Sequence, residues 1–372
     1  MAPSKAGTTG QRPPRPQRPA TSGEQPRQRG AGGLRHGIMG FVLSHEQFPI
    51  TELLPLGVGA ERAGFDFVTA SDHLQPWQDN QGHAGAAWLT LAALSQLTRR
   101  IHMGTSVTCP SLRYHPAVVA QAFASLSQLS PGRIFLGLGS GEALNEQAAT
   151  GEWPDWQERS QRLIEATGLI RALWSGRQVE HRGRHYRLDA KLYDPPATPI
   201  PILMAANGPK AMRRAGQYGD GLITDPETWQ QHHQAFFDAA KAAGREPEAL
   251  PVLTELFVVV GDKNTARPAA ERWRFLAKAF QGYHTEVDPR AIRQLAEREV
   301  ALDQVFEQWT ISPQPERHIE RLIELFRQGI SAVVVHSGQD DQRRVLEFYQ
   351  ARVLPVVRKA LGLPVEVPIQ PS

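Results

Sequence analysis

A carboxylate, an imidazole and an indole stand within six residues of one another, at Asp72, His73 and Trp77. They follow the apolar run Phe65–Ala70, which has the length and composition of a short strand. Polar residues directly after a strand lie on a loop held by a rigid base, where binding and catalytic groups are common. A strand cap with a surface tryptophan would give the same pattern, so this stretch predicts a site only together with others like it.

Other predicted strands also end on polar residues. These are Glu46 after the first strand, Ser106 to Cys109 after the third, and Glu142 and Asn145 after the fourth. Carboxylates beside a histidine suit proton transfer coupled to a second chemical step. A metal site would use the same residue types, but the chain lacks His-x-x-x-His or paired-carboxylate spacing. The sequence also contains no Gly-x-Ser-x-Gly nucleophile elbow, so covalent hydrolysis is not predicted either. We therefore predict acid–base chemistry without a metal.

The spacing of these stretches follows a regular alternation of strands and helices. From His36 onward eight short apolar strands alternate with helical segments, with a hairpin near Gly183 and a long segment after the seventh strand. This rhythm predicts an α/β fold, a (β/α)8 TIM barrel with insertions, whose active site lies at the carboxyl ends of the strands. A doubly wound sheet is the alternative. It would carry a glycine-rich turn after the first strand, where Ser44-His45-Glu46 stands. Gly137-Leu138-Gly139-Ser140-Gly141 follows the fourth strand and lacks the dinucleotide spacing.

The basic charge of the chain lies at its N-terminus. The 372 residues have a formal net charge of +3, but residues 1–33 hold six basic residues and one acid. The other 35 basic and 37 acidic residues leave the body near −2, which offers nucleic acid no footprint. Residues 1–33 are proline-rich and nearly free of large apolar side chains, so we predict a disordered tail there. A single domain is expected over 34–362, followed by a short tail at 363–372.

Targeting signals and cysteine chemistry are both sparse. No apolar run before Leu34 has the length of a secretory signal, and no window of about 18 apolar residues predicts a transmembrane helix. The single cysteine, Cys109, leaves no internal disulfide. These features predict a cytoplasmic protein without a membrane partner.

Four segments carry a family resemblance: Ser71–Trp77, Gly104–Val107, Pro116–Phe123 and Gly141–Glu146. They resemble the deazaflavin-dependent glucose-6-phosphate dehydrogenases, which belong to the bacterial luciferase-like superfamily of barrels. Other segments are similar to the hydroxymycolic acid dehydrogenase branch of the same group, namely Leu43–Phe48, Trp77–Asn80, Val107–Pro110 and Asn145–Thr150. The resemblance covers residues 36 to 360 and implies a luciferase-like TIM barrel.

The resemblance implies coenzyme F420, a deazaflavin whose ring carbon C5 accepts a hydride from an alcohol carbon. It places Glu46, His73, Trp77 and Glu142 at the reacting centre, where His73 and Glu142 share the proton transfers in an order that it leaves open. Ser106-Val107 matches a non-proline cis peptide that would support the back of the ring. The other implied cofactor contacts are Asp72, Cys109, Ser140, Asn145, Asn207, Gly208, Lys210 and Ala211. Independently, a strand end that runs into a helix at Pro209 suits a phosphate group.

The substrate positions depart from the sugar-phosphate pattern. That family holds the phosphate with two lysines and an arginine, whereas one lysine here falls in a four-residue deletion after Asp225. Tyr283 and Gln308 stand in the other two places, and His284 is retained. A buried dianion needs cations or an amide cradle. Hence other groups bind the phosphate of a sugar phosphate, or the substrate is a non-phosphorylated or lipid-like secondary alcohol. An FMN-dependent monooxygenase is a further alternative, and the resemblance also implies a homodimer.

Overall fold

Eight parallel strands close into a barrel in the computed structural model, which describes residues 36–278, 280 and 282–364. In chain order the strands are β1 (Ile38–Leu43), β2 (Phe67–Ala70), β3 (His102–Thr108), β4 (Ile134–Leu138), β5 (Val179–Arg182), β6 (Arg187–Ala190), β7 (Ile202–Ala205), β8 (Gly221–Ile223), β9 (Val252–Val259), β10 (Thr310–Ile311) and β11 (Ala332–Ser337). The ring runs β1–β2–β3–β4–β7–β8–β9–β11 and closes between β11 and β1. The predicted TIM barrel is therefore confirmed. β5 and β6 form the expected hairpin, and β10 pairs with the end of β9.

Helices connect the strands and cover the outside of the barrel. In the described ranges they are α1 (Ile50–Ala63), α2 (Ala87–Leu97), α3 (Pro116–Leu129), α4 (Ala143–Thr150), α5 (Trp156–Trp174), α6 (Pro209–Tyr218), α7 (Pro226–Ala242), α8 (Lys263–Arg272), α9 (Pro289–Glu299), α10 (Leu302–Phe306), α11 (Pro315–Arg327), α12 (Gln342–Phe348) and α13 (Leu354–Ala360). Helix α1 ends at Gly64. Gly64 has φ +91°, a left-handed conformation that glycine adopts without a steric penalty.

Side chains alternate along each strand between the helices and the inside of the barrel. Met39, Phe41 and Leu43 of β1 face outward and join the main core with the helices. The lower inside of the barrel is filled by a separate apolar group, which we call the apolar floor: Ile38, Phe67, Phe135, Leu203, Leu253, Ala332 and Val334. Such layers of branched and aromatic side chains make a barrel interior a packed core. The interior is therefore closed below the carboxyl ends of the strands.

The long segment after β9 folds over those carboxyl ends. It contains α8, α9, α10 and β10 and has an apolar core of its own, against which Trp77 and Tyr283 pack. Helix α4 begins directly after Glu142. Helices α12 and α13 are joined by a π-helical stretch at Tyr349–Val353.

None of the helices in these ranges is long and apolar enough to cross a membrane. The tail predicted over 1–33 lies outside the described residues. So does most of the tail predicted over 363–372, since the description ends at residue 364.

Candidate active site

Glu46 and His73 meet at the carboxyl end of the barrel. β1 and β2 are parallel neighbours with Leu43 opposite Ala70, and each functional residue stands three positions beyond its strand. His73 Nδ1 lies 3.9 Å from Glu46 Oε1, and both side chains are buried. Burial opposes the charge of Glu46, but the attraction of His73 and hydrogen bonding outweigh it, so the pKa of this carboxyl is below its ordinary value. A carboxylate therefore faces the imidazole at ion-pair distance.

Trp77 forms an aromatic wall beside this pair. Its ring lies edge-on to His73 with 4.9 Å between centroids. On its other sides it stacks on Phe275 at 5.0 Å and meets the edge of Tyr283 at 5.4 Å. The tryptophan is half-buried under the segment after β9, so the alternative of a surface tryptophan is wrong.

Asp72 is held by donors from the loop after β3. Thr108 Oγ1 donates to it at 2.8 Å, Tyr114 Oη at 3.3 Å and the guanidinium of Arg113 at 3.2 Å. The Arg113 guanidinium also lies 3.6 Å from Glu146 Oε1. Sequence reasoning predicted Asp72 but missed Arg113 and Glu146. A lone arginine in a loop and an acid on a helix give no local signal of a buried ion pair.

The surroundings of Glu146 disfavour the ionised form of its carboxyl group. It is 1% exposed, and burial raises its pKa to about 7, although Arg113 attracts its ionised form. The backbone N–H of Arg113 donates to its other oxygen at 2.7 Å. Asp72, Arg113 and Glu146 thus tie together the ends of β2 and β3 and the helix α4.

The end of β3 carries the cis peptide that the motif predicted, between Ser106 and Val107. The pairing of β3 with β4 shifts register here, between Thr105 and Thr108. Val107 reaches over β4: a Cβ at Gly139 would come within 2.6 Å of Val107 Cγ2.

Cys109 lies buried behind this bulge. Its Sγ is 3.2 Å from Ser111 Oγ, and a Cβ at Gly141 would come within 2.8 Å of it. Burial raises the pKa of the thiol, so it remains neutral and packs as a small apolar group. Ser140 lies half-buried between Gly139 and Gly141, next to this packing.

Glu142 and Asn145 stand at the start of α4, on the other side of the cleft. Burial raises the pKa of Tyr283, and the negative charge of Glu142 adds to this effect. Burial lowers the pKa of His284, and Glu142 opposes that shift. Glu142 therefore faces both residues. Asn145 Oδ1 accepts from the backbone N–H of Leu74 at 2.8 Å, while its buried Nδ2 has no hydrogen-bond partner among the described residues.

The predicted phosphate position lies where β7 leads into α6. Asn207 and Lys210 are exposed, and Gly208 and Ala211 are half-buried. No side chain caps the first N–H groups of α6, and a Cβ at Gly208 would meet nothing within 4 Å. Free helix N–H groups beside a lysine favour an anion. This end of α6 is therefore open to a phosphate.

The three predicted substrate residues separate into two groups. Tyr283 and His284 pack with tilted rings, 4.1 Å between centroids, and Tyr283 contacts Trp77 of the site. The Gln308 amide instead holds the segment after β9 together: it accepts from Lys278 N at 3.3 Å and donates to Gln304 O at 2.9 Å. Among the described residues, no group of three or more His, Cys, Asp or Glu is arranged to hold a metal ion.

Two further ionisable residues, which the sequence analysis did not select, face the site from inside the barrel. Glu255 on β9 and His336 on β11 are hydrogen-bonded through the imidazole Nδ1. Burial opposes ionisation of Glu46, and His336 is one of the neighbours whose influence lowers the pKa of this carboxyl group. Both residues lie within strands, and the neighbouring sequence does not indicate that a polar residue there belongs to a site.

Comparison with known proteins agrees with this architecture. The chain matches the model of the luciferase-like monooxygenase family over residues 26–332. It is 46% identical over 348 residues to the F420-dependent hydroxymycolic acid dehydrogenase of Mycobacterium tuberculosis, covering 88% of this chain and 95% of that protein. It is 40% identical over 330 residues to the F420-dependent glucose-6-phosphate dehydrogenase of Nakamurella multipartita, covering 87% and 97% of the two chains.

A solved structure extends the likeness from sequence to fold. An F420-dependent secondary alcohol dehydrogenase in complex with an F420–acetone adduct superposes with a TM-score of 0.82 at 31% identity. The match covers 87% of this chain and 99% of that one. The resemblance carried by the strand-end motifs is thus confirmed. The chain belongs to the luciferase-like family, in its branch of F420-dependent dehydrogenases.

Proposed function

We propose that this chain is an F420-dependent dehydrogenase that transfers a hydride from the C–OH carbon of a sugar or sugar-6-phosphate to the deazaflavin. The observation that carries the proposal is the Glu46–His73 pair beside Trp77, at the open end of a luciferase-like barrel. Its relatives with whole-length matches include dehydrogenases that act on glucose-6-phosphate. An acid–base pair against an aromatic wall suits the removal of a hydroxyl proton during alcohol oxidation.

The residues present fit F420. Val107 at the bulge offers an apolar surface to the flat ring, and Asn145 Nδ2 is a buried donor without a partner in the described part of the chain. The open N-terminus of α6 with Lys210 suits the phosphate of the cofactor tail. We place Asp72, Ser106, Cys109 and Ser140 around the ring, and Asn207, Gly208 and Ala211 around the tail. When bound, the cofactor supplies the carbon C5 that accepts the hydride.

His73 takes the hydroxyl proton in this proposal. Glu46 lies 3.9 Å from its Nδ1 and stabilises the imidazolium that forms, as a carboxylate does for a histidine base. Glu142 serves the second proton transfer from the opposite side of the cleft. Trp77 covers the reacting carbon and excludes water, while Tyr283 and His284 line the substrate side. Gln308 contributes by holding the segment after β9 in place.

The test is a reduction assay with purified protein, oxidised F420 and a panel of sugars, sugar phosphates and simple secondary alcohols. We expect the absorbance of the oxidised deazaflavin to fall with at least one sugar or sugar phosphate, and a His73→Gln variant to lose that activity. If no sugar of either kind reduces the cofactor while a lipid-like alcohol does, the sugar assignment is wrong and the alternative holds.

A non-phosphorylated secondary alcohol is the second candidate. It is favoured by Tyr283, which replaces a cation with a half-buried aromatic ring packed on Trp77. Gln308 offers no charge either. A flavin monooxygenase would instead purify with bound FMN, which the visible spectrum of the fresh protein distinguishes.

The proposal includes a homodimer. The neighbouring helices α2 and α3 expose Leu89, Leu97, Val118 and Leu129, of which Leu89 is 66% exposed. Exposed apolar groups that share one face mark an interaction surface. Light scattering on wild type should give twice the chain mass, and a Leu89→Glu, Leu97→Glu variant should give the monomer. The proposed cytoplasmic location rests on the sequence alone and is tested by cell fractionation.

A further inference from the structure

A charged side chain points into the barrel directly above the apolar floor. Leu253 belongs to that floor, and side chains two positions apart on a strand share a face, so Glu255 on β9 also points inward. On β11 the same alternation takes Val334 of the floor to His336. β9 and β11 are parallel neighbours, with His336 opposite Phe257. Glu255 and His336 therefore form the next layer toward the carboxyl ends.

Glu255 is open to solvent although it points inward. Its side chain is 42% exposed, whereas Leu253 below it is fully buried. Only a cavity that begins at this layer and opens at the barrel mouth accounts for both values. One carboxylate oxygen is bonded to His336 Nδ1. The carboxylate can therefore accept further hydrogen bonds from whatever enters the mouth.

His336 is fixed by its surroundings. It is 3% exposed, and its ring packs on Phe257 at 4.3 Å and on Trp273 at 4.5 Å. Its buried Nε2 has no hydrogen-bond partner within the described ranges. A buried polar atom without a partner is costly, which points to a group that arrives with a ligand.

We infer that Glu255 is a substrate-binding residue that accepts a hydrogen bond from a second hydroxyl of the substrate, and that His336 positions it. This inference rests on the proposed function and narrows its substrate to alcohols with more than one hydroxyl. An alkyl chain in this place would bury the carboxylate without a partner, which is unfavourable. A phosphate would be repelled by the like charge. A hydroxyl donor satisfies the site.

The test compares Glu255→Leu with wild type on glucose, glucose-6-phosphate and the corresponding deoxy sugars, all with F420. Hydrogen bonds to a charged group contribute about 1.5–3 kcal/mol, so KM for the sugars should rise about 10- to 100-fold with little change in kcat. One deoxy sugar should bind wild type poorly, and this preference should vanish in Glu255→Leu. Glu180→Leu, an exposed acid on the β5–β6 hairpin, is the matched control and should change nothing. An unchanged sugar KM in Glu255→Leu would overturn the inference.

The role of His336 is tested by additivity. His336→Phe should raise the sugar KM in the same direction as Glu255→Leu, and the double variant should be no worse than Glu255→Leu alone. His336→Gln retains a donor and should recover part of the affinity. Independent effects in the double variant would contradict a positioning role. The Kd for F420, measured by fluorescence, should be equal in all variants and shows that they are folded.

Failure of the proposed function is recognised separately. If wild type reduces F420 with no alcohol at all, the dehydrogenase assignment fails, whatever Glu255 does. Sugar binding is then measured without turnover, by saturation-transfer NMR on the wild type and Glu255→Leu. Loss of the sugar signal in the variant supports the binding role, and equal signals from the two proteins contradict it.

Discussion

The two layers inside the barrel are built on the same strands, one pleat apart, yet they differ in every chemical respect. Leu253 and Val334 of the apolar floor are almost completely buried, and each packs among aliphatic and aromatic neighbours. Two residues farther along, Glu255 and His336 are ionisable, and they lie near the Glu46–His73 pair. The floor is a core, whereas the mouth is a set of polar groups held by that core.

The difference shows how the fold separates stability from chemistry. Apolar groups in the floor gain free energy from burial. The mouth contains buried polar atoms that are unsatisfied: His73 Nδ1, Asn145 Nδ2 and His336 Nε2 have no hydrogen-bond partner in the described part of the chain. Such atoms cost stability unless a ligand satisfies them. We therefore expect mutations in the floor to act on folding and mutations in the mouth to act on binding and rate.

His73 should give the largest effect. Replacing it with glutamine removes the proton acceptor paired with Glu46, and kcat should fall about 10²- to 10⁴-fold. The Kd for F420 and the melting temperature should change little. His83→Gln, at an exposed position, is the control. A His73→Gln enzyme with normal kcat would remove His73 from the proton transfer.

Phe135 tests the other layer. Its ring is fully buried in the floor, with its centroid 6.2 Å from that of Phe67. Phe135→Ala should lower the free energy of unfolding by about 3–5 kcal/mol in urea titrations. Tyr193→Ala, at a side chain that is 85% exposed, should stay within about 0.5 kcal/mol of wild type. If Phe135→Ala instead lost rate without losing stability, the division between the layers would fail.

Glu146 sharpens the comparison between floor and mouth, because this mouth residue should lower the free energy of unfolding. Its folded pKa, about 7, lies above the ordinary value of 4.5 because of burial. The contribution of the neutral Glu146 carboxyl group to folding stability is therefore fully present below about pH 4.5, and it is lost as the pH rises through about 7. Glu146→Gln cannot ionise, so the variant should gain about 1–3 kcal/mol relative to wild type between pH 5 and pH 8. Thermal melts across that range measure this gain. A difference between variant and wild type that does not change with pH would contradict the raised pKa.

Tyr283 gives the smallest expected change and concerns the choice of substrate. Tyr283→Lys places a cation on the substrate side of Trp77, where a phosphate oxygen could pair with it. We expect KM for glucose-6-phosphate to fall about two- to fivefold relative to KM for glucose, since an ion pair open to solvent contributes at most about 1 kcal/mol. Tyr283→Met, whose unbranched side chain resembles that of lysine but carries no charge, is the control. An equal change in both KM values would place the phosphate elsewhere.

Much of the molecule follows from local sequence. The alternation of strands with helices and the hairpin near Gly183 were predicted from apolar periodicity and turn residues, and the structure has both. The polar strand ends at Glu46, His73 and Glu142 were visible because each interrupts an apolar run. The roles assigned to individual residues stay predictions until they are tested.

Tertiary structure alone decided the remainder. Glu255 and His336 are 81 residues apart, and Arg113 is 41 residues from Asp72. Alternation of apolar residues shows that a strand has two faces. In a barrel both faces are covered, so the sequence does not show whether a polar side chain points to the helices or to the inside of the barrel. Only closure of the ring determines that Glu255 points into the barrel and that it meets His336 there. The sequence therefore determined the strands and the motifs at their ends, while closure of the barrel decided which charges meet inside it.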